Sequence, residues 1–171
     1  MRTRSPKDSH TVSTNIVLPN DTNVLGNLMG GRLLHWMDIT SAIAAHRHCQ
    51  RVVVTASVNH VSFDRPIKLG DYVTIEAKVS RAFTTSMEVF LEVFVENSMT
   101  GEKVKSNDAA YVFVAVDQIG RPIEVPQIVP ETEEDKKRYE TALRRKQLSL
   151  LLSGKLKPAD APELKELFQI K

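Results

Sequence analysis

The sequence lacks the features that would place it in several protein classes. Its 171 residues include a single cysteine, Cys49, so no disulfide can form within the chain and a cysteine-based metal site is excluded. Residues 1–10 are charged and have no apolar stretch like that of a signal peptide. No later run reaches the roughly 20 apolar residues that a membrane-spanning helix needs. These absences predict a cytoplasmic protein.

An excess of charge of one sign is also missing. The chain has 23 Lys and Arg against 21 Asp and Glu, a net charge of +2, so neither nucleic acid nor an anionic membrane is expected as its main partner. No His-Glu-x-x-His pattern indicates a metal site, and no Gly-x-Ser-x-Gly turn presents a serine nucleophile. We therefore expect one globular domain with a tail, and neither a metal nor an organic cofactor.

The most informative stretch is an apolar helix that follows a glycine turn. Residues 31–45 leave almost no polar face, and a helix that is apolar nearly all round is predicted to be buried. Asp38 lies within it and needs a hydrogen bond, a counter-charge or a proton, because burying an unpaired charge costs several kcal/mol. Gly26, Gly30 and Gly31 allow positive φ and close backbone approach where the first helical N–H groups lack partners. Burial alone leaves Asp38 open to a structural or a chemical role.

Five runs rich in β-branched or alternating residues predict strands. Turn residues between the later runs make those strands antiparallel neighbours. Since the only long helix before residue 130 is the apolar one, the sheet is predicted to wrap around it. Uncovered helix surface and sheet edges then predict pairing of two copies. The predicted strands cover residues 11–18, 52–63 (with a bulge), 71–81, 86–97 and 102–116.

The chain changes character from residue 131 onward. Thr132 and Asp135 have the spacing of a helix N-terminal capping box, and acidic residues precede basic ones. This predicts a helix that ends near Leu152 and has an apolar docking stripe. We expect a flexible N terminus over residues 1–10, a domain over residues 11–126 and a C-terminal helical extension over residues 127–171. The role of that extension is left open.

A series of motifs follows in the order and spacing of one known family. Asn27-Leu28-Met29-Gly30-Gly31 precedes Trp36-Met37-Asp38 and Arg47-His48-Cys49, and the series continues through residues 61–71, 81–89 and 111–117. Over about residues 11–126 the sequence resembles the hotdog-fold acyl-CoA thioesterases of the bacterial broad-specificity and mammalian brain-type group. The resemblance implies an α+β hotdog fold, with an antiparallel five-stranded sheet around one long helix. It also implies hydrolysis of acyl-CoA to free fatty acid and coenzyme A, within fatty acid metabolism.

The resemblance also implies roles for individual residues. Asp38 would act as a general base on water or as a direct nucleophile, and both routes stay open. Asn27 would orient water or polarise the carbonyl, while the N–H of Gly31 or Gly30 forms an oxyanion hole. Without the resemblance, Asn27 could simply stabilise the turn and the 81–86 loop could be a solvated hairpin. The residues implied to lie by the coenzyme A nucleotide are Arg81, Thr84, Thr85 and Ser86.

The expected assembly is a homodimer with shared active sites. Asn27 and the glycine turn of one subunit would meet Asp38 of the other, and three such dimers would form a hexamer. One alternative is a hotdog dehydratase, but the His-Phe-Pro-Gly-like loop of that class is replaced here by Asn27-Leu28-Met29-Gly30-Gly31. Another is an acyl-CoA-binding sensor without catalysis, which gives no reason to retain Asp38 in an apolar helix. The length of the acyl chain cannot be read from the sequence.

Overall fold

The five predicted strands and the two predicted helices are all present. A computed structural model describes residues 3–168 except residues 60 and 64. Three short 3₁₀ turns lie at Pro6–Ser9, Pro19–Asp21 and Pro158–Asp160. In chain order the other elements are β1 (Thr3–Arg4), β2 (Thr11–Ile16), α1 (Gly30–Cys49), β3 (Val52–Asn59), β4 (Tyr72–Ala82), β5 (Ser86–Glu96), β6 (Lys103–Val116), β7 (Gln127–Ile128), α2 (Glu133–Leu152) and α3 (Pro162–Phe168).

The main sheet has the strand order β2-β4-β5-β6-β3, and all neighbouring strands are antiparallel. A bulge in β3 falls between Thr55 and Ser57, earlier than the pattern from Ala56 onward indicated, and the strand ends at Asn59 rather than at the predicted residue 63. Alternation along β5 sends fully buried Val89 and Leu91 to the inner face, where they join the core residues of α1, such as Met37. The sheet therefore wraps around α1, as predicted for a hotdog fold.

Helix α1 is only partly buried within one chain. Met37 and Ala44 are fully buried against the sheet, but Ile39 and Ile43 are 45% and 42% exposed. One curved sheet covers a single side of a helix, so the opposite side has no cover within the chain. Within a single chain the helix is therefore not buried all round, and its exposed side is the uncovered helix surface expected from a five-stranded sheet on one helix.

Helix α2 packs on the outer face of the sheet, opposite α1. On β5 this face alternates acidic and aromatic residues, and the basic side chains of α2 complement it. Arg145 donates two hydrogen bonds to the carboxylate of Glu88, at 2.7 and 2.9 Å. Arg138 pairs with Glu92 at 2.8 Å and lies 4.5 Å from the ring centroid of Phe90. Charge pairing and aromatic contacts thus hold the C-terminal extension on the sheet.

The start of α2 follows the predicted capping box. The side chain of Thr132 accepts a hydrogen bond from the N–H of Asp135, and the carboxylate of Asp135 accepts one from the N–H of Thr132. The same carboxylate pairs with Lys78 of β4 at 2.8 Å. One aspartate therefore both caps the helix and ties its first turn to the sheet.

Residues 3–9 differ from the flexible tail expected from the sequence. β1 pairs in parallel with β7, and the guanidinium of Arg4 donates to the carbonyl of Arg47 at 2.8 Å, near the end of α1. The hydroxyl of Ser9 is fully buried and accepts a hydrogen bond from the N–H of Val79 at 2.9 Å. The N-terminal segment thus packs on the domain, while the proposed domain boundaries stay a prediction.

Replacing Arg145 by methionine should strongly destabilise the fold. Glu88 is 2% exposed, and the hydroxyl of Ser80 is its other described side-chain donor, at 2.6 Å. Removing one partner of a buried ion pair strands the other charge, which typically costs about 3–5 kcal/mol. Urea unfolding should reveal this loss in the free energy of unfolding.

A Lys136→Met variant provides the control, because its pair with Glu133 on the same helix is exposed. Exposed ion pairs contribute little, so the control should unfold at nearly the wild-type urea concentration. Equal midpoints for the Arg145→Met and Lys136→Met variants would show that the Glu88 pair does not stabilise the attachment of α2.

Candidate active site

Asp38 is half-buried on α1 and faces strand β3. The hydroxyl of Thr55 donates a hydrogen bond to Oδ1 of Asp38 at 2.8 Å. Within the described residues no other hydrogen bond or ion pair reaches this carboxylate, so Oδ2 is available to water or a ligand. The sequence indicated that Asp38 needs a polar partner, and Thr55 is that partner. Sequence patterns alone did not identify Thr55.

Tyr111 of β6 supports the helix next to Asp38. Its hydroxyl donates to the carbonyl of Leu34 at 3.3 Å, the carbonyl to which the N–H of Asp38 donates in α-helical geometry. Burial, together with the negative charge of Asp38, raises the pKa of Tyr111 to about 12. Tyr111 therefore stays protonated at neutral pH and supports the turn of α1 that presents Asp38.

The start of α1 leaves two backbone donors free. The N–H groups of Arg32 and Leu33 donate to the carbonyl of Met29, at 3.0 and 3.1 Å. No acceptor among the described residues bonds the N–H of Gly30 or Gly31. Because free N–H groups and the helix dipole converge there, this turn can stabilise an anion or a developing oxyanion.

The three glycines of the turn differ in their backbone geometry. Gly26 has φ +74°, which the absence of a Cβ atom allows. Gly30 and Gly31 instead form the first two residues of α1 with helical geometry and do not use that freedom. The helix begins one residue earlier than the apolar pattern indicated. The predicted close approach applies to Gly30, where a Cβ atom would lie 3.4 Å from the ring of Phe63.

Asn27 lines a cavity that Asp38 does not reach. This surface cavity has a volume of about 320 Å³ and is also lined by Asn23 and Gly30. Oδ1 of Asn23 accepts hydrogen bonds from the N–H groups of Leu25 and Asn27, at 2.9 and 3.2 Å, so Asn23 shapes this turn. At 1.5 Å per residue, Asp38 is about 12 Å along α1 from Gly30. A single chain therefore separates the turn from Asp38.

The 81–86 loop contacts the C-terminal helix. The guanidinium of Arg81 donates to the carbonyl of Tyr139 at 3.0 Å and lies 4.1 Å from the centroid of its ring. The carbonyls of Thr84 and Thr85 accept backbone hydrogen bonds, and Ser86 begins β5. Arg81 is thus engaged between the sheet and α2, and its contact with coenzyme A stays a prediction.

An uncovered apolar surface adjoins Asp38. Besides Ile39 and Ile43 of α1, the edge strand β3 exposes Val58 on the same face as Thr55, and Val52 and Val54 on its outer face. No further strand of the described chain pairs with the outer edge of β3. Exposed apolar side chains beside a free sheet edge are typical of a protein interface.

Other chemical groups are less suited to a site. Cys49 is buried, and burial raises the pKa of its thiol. Among the residues that the structure describes, no group of three or more His, Cys, Asp and Glu side chains could hold a metal ion. None of the described helices is both long and apolar enough to cross a membrane. The expected absence of a cofactor stays a prediction.

Comparison with known sequences indicates the family. Residues 25–102 match the model of the Thioesterase superfamily. An uncharacterized acyl-CoA thioester hydrolase of Bacillus subtilis, YkhA, is 44% identical over 143 residues, which cover 84% of this chain and 83% of that protein. The chain spans only 24% to 33% of the length of the mammalian relatives that it matches.

Solved structures agree with the sequence matches. A hexameric acyl-CoA thioesterase in its apo form has a TM-score of 0.82 and 40% identity, covering 85% of this chain and 94% of that one. The acyl-CoA hydrolase of Staphylococcus aureus, solved with butyryl coenzyme A, coenzyme A and coenzyme A disulfide, has a TM-score of 0.81 and 34% identity. That match covers 90% of this chain and 94% of the other.

Proposed function

Because the chain belongs to the hotdog-fold acyl-CoA thioesterases of the thioesterase superfamily, we propose that it hydrolyses acyl-CoA to a free fatty acid and coenzyme A. The observation that carries this proposal is the environment of Asp38. Its carboxylate is half-buried in an apolar helix, held by Thr55 through one oxygen, and unpaired with any cation of the described chain. Such a group is suited to proton transfer or nucleophilic attack.

Two routes use the same carboxylate oxygen. In the first, Oδ2 of Asp38 takes a proton from water, whose oxygen attacks the thioester carbonyl carbon. The carbon–sulfur bond then breaks, and the sulfur leaves as the coenzyme A thiol with a proton. In the second, Oδ2 attacks the carbonyl and expels the thiolate; water then hydrolyses the resulting anhydride. Thr55 orients the carboxylate in both routes.

The oxyanion in either route requires donors beside Asp38, and within one chain the free N–H groups at the start of α1 do not lie there. We place the free N–H groups of Gly30 and Gly31 from a second subunit at this position. The separation of about 12 Å along α1 supports this placement, as does the uncovered apolar surface beside Asp38. A two-fold dimer would cover that surface and build two equivalent sites.

The asparagine of the site is better assigned to Asn23 than to Asn27. Structures of the Staphylococcus aureus hydrolase carry alanine in place of an aspartate, a threonine and an asparagine. There the asparagine precedes the aspartate by 15 residues and the threonine follows it by 17. Asn23, Asp38 and Thr55 have the same spacing, whereas Asn27 is 11 residues before Asp38. Because Oδ1 of Asn23 serves the turn, its Nδ2 is the group left to donate.

The proposal extends to assembly and location. A trimer of dimers is supported by the hexameric state of two structural neighbours. A cytoplasmic location is supported by relatives named cytosolic acyl coenzyme A thioester hydrolases. Hydrolysis of fatty acyl-CoA would place the protein in fatty acid metabolism.

Asp38→Asn should abolish most hydrolysis while leaving the fold intact, because the amide has the same shape and cannot act as a base. Initial rates with acyl-CoA from acetyl to palmitoyl, read with a thiol-trapping reagent, test this. An Asp108→Asn variant removes an exposed carboxylate on β6 and should retain wild-type rates. Activity of Asp38→Asn within tenfold of wild type, about 1.4 kcal/mol of barrier, would exclude Asp38 from the mechanism. A sensor would bind the same panel and release no thiol.

Mixing two inactive variants should restore activity if the sites are shared. An Asn23→Ala chain paired with an Asp38→Asn chain has one site with both defects and one with neither. With random exchange half of the dimers are mixed, so activity should recover to about a quarter of wild type under this two-fold symmetry. An Asn27→Ala chain alone should keep more activity than Asn23→Ala. If mass spectrometry detects exchange and the mixture stays inactive, each site lies within one chain.

A further inference from the structure

Asp21 is a buried aspartate that neither proposed route uses. It is 6% exposed. Its Oδ1 lies 2.9 Å from Nε of Arg32, and its Oδ2 accepts a hydrogen bond from the N–H of Leu18 at 3.0 Å. A buried carboxylate needs such partners, because its charge has lost its hydration. Asp21 therefore joins the segment before the glycine turn to the first turn of α1.

The first turn of α1 lacks the local features that usually stabilise the start of a helix. Its N-cap residue is Met29, whose side chain makes no capping hydrogen bond, whereas Ser, Thr, Asp and Asn are the preferred caps. Gly30 and Gly31 follow, and glycine is among the least favourable residues in a helix. Arg32 then adds a positive charge at the end of the helix where the dipole favours anions. This turn therefore depends on contacts from outside the helix.

Asp21 holds the residues on both sides of the two glycines. Its carboxylate pairs with Arg32, and its backbone carbonyl accepts a hydrogen bond from the N–H of Met29 at 2.9 Å. The free N–H groups of Gly30 and Gly31 lie between Met29 and Arg32 in the chain. Asp21 thus restrains both ends of this pair of donors, and its negative charge offsets the unfavourable charge of Arg32 beside them.

The same aspartate closes the loop that carries Asn23. The bond between Asp21 and Met29 joins the two ends of this loop, and Thr22 and Leu28 form an antiparallel bridge directly inside it. Asn23 follows Asp21 by two residues. One anchor therefore fixes the position of Asn23 relative to the N–H groups at the start of α1.

We infer that Asp21 is a positioning residue for the hydrolysis, and this inference rests on the proposed function. It acts through Met29 and Arg32, which hold the N–H groups of Gly30 and Gly31 where the oxyanion develops. Donors of an oxyanion hole must lie about 2.7–3.1 Å from the oxygen that they stabilise. A misplacement of about 1 Å can cost roughly a hundredfold in rate. A helix start without a capping side chain keeps this precision only if another residue restrains it.

Asp21→Asn tests this role, because the amide has the same shape and cannot form the ion pair with Arg32. Its kcat for acyl-CoA should fall about tenfold or more as the donors shift. KM should stay within a few-fold of wild type, since an oxyanion contact strengthens only in the transition state. The matched control is Asp117→Asn, because Oδ1 of Asp117 also accepts backbone hydrogen bonds in a turn, which follows β6. The control should keep the wild-type kcat. Rates are measured at a temperature at which each full-length variant is folded.

The ion pair itself is tested from its other side. Arg32→Lys keeps a cation for Asp21 and should keep kcat close to wild type, whereas Arg32→Met should lower kcat as Asp21→Asn does. The double variant should be no slower than the slower single variant, because both substitutions break the same contact. Losses that add would show that the two residues act separately and would overturn the inference.

Amide hydrogen exchange shows whether the effect passes through the turn. In Asp21→Asn the N–H groups of Arg32 and Leu33, which donate to Met29, should exchange faster than in wild type, and those of β5 should not. A lower kcat without faster exchange at this turn would overturn the inference, because Asp21 would then act by another path. Faster exchange in β5 as well would indicate general destabilisation and would also overturn it. So would a wild-type kcat in Asp21→Asn.

The inference and the proposed function fail in distinguishable ways. Thiol release by wild type together with an unchanged kcat in Asp21→Asn would refute the role of Asp21 alone. Wild-type protein that releases no thiol from any acyl-CoA would refute hydrolysis. In that case faster exchange at the first turn of α1 in Asp21→Asn would still support Asp21 as the residue that holds this turn.

Discussion

The structure depends on how an antiparallel sheet covers an apolar helix. Five strands curve around one side of α1 and bury Met37 and Ala44, but they leave Ile39 and Ile43 exposed. Asp38 lies at the border between the buried and the exposed side of α1. The sheet ends there at β3, and the hydroxyl of Thr55 on β3 donates a hydrogen bond to the carboxylate. The incomplete cover thus explains both the apolar surface beside Asp38 and the accessibility of the carboxylate.

The outer face of the same sheet is covered by charge pairing. Glutamates on the outer face of β5 alternate with phenylalanines, and α2 brings arginines to them, including the bidentate pair of Arg145 with Glu88. Lys146, which directly follows Arg145, lies against the ring of Phe83 instead, and no carboxylate among the described residues pairs with it. One helix therefore packs on the sheet through ion pairs and through a contact between a cation and an aromatic ring.

Local sequence patterns predicted the helices and strands. They did not predict the contacts between residues that are far apart in the sequence. Period-two alternation and the capping box of Thr132 identified β5 and α2, because both signals lie within a few residues. The bond between Thr55 and Asp38 depends on how α1 crosses β3, which no local pattern gives. The pairing of β1 with β7 joins segments at opposite ends of the domain. The φ angles of Gly30 and Gly31 depended on the first residue of the helix, which apolar periodicity locates only approximately.

The position of Asp38 reconciles two opposing electrostatic demands. A carboxylate deep in the core would lose its hydration and be out of reach of water and substrate, while one at an open surface would act through a high dielectric that weakens its interactions. At the margin of the sheet Asp38 keeps one oxygen bonded to Thr55, and no described residue bonds the other. In the proposed dimer the second subunit would exclude bulk water and supply the N–H donors of its glycine turn. Assembly, rather than folding of one chain, would then create the low-dielectric site in which those donors act most strongly on the developing oxyanion.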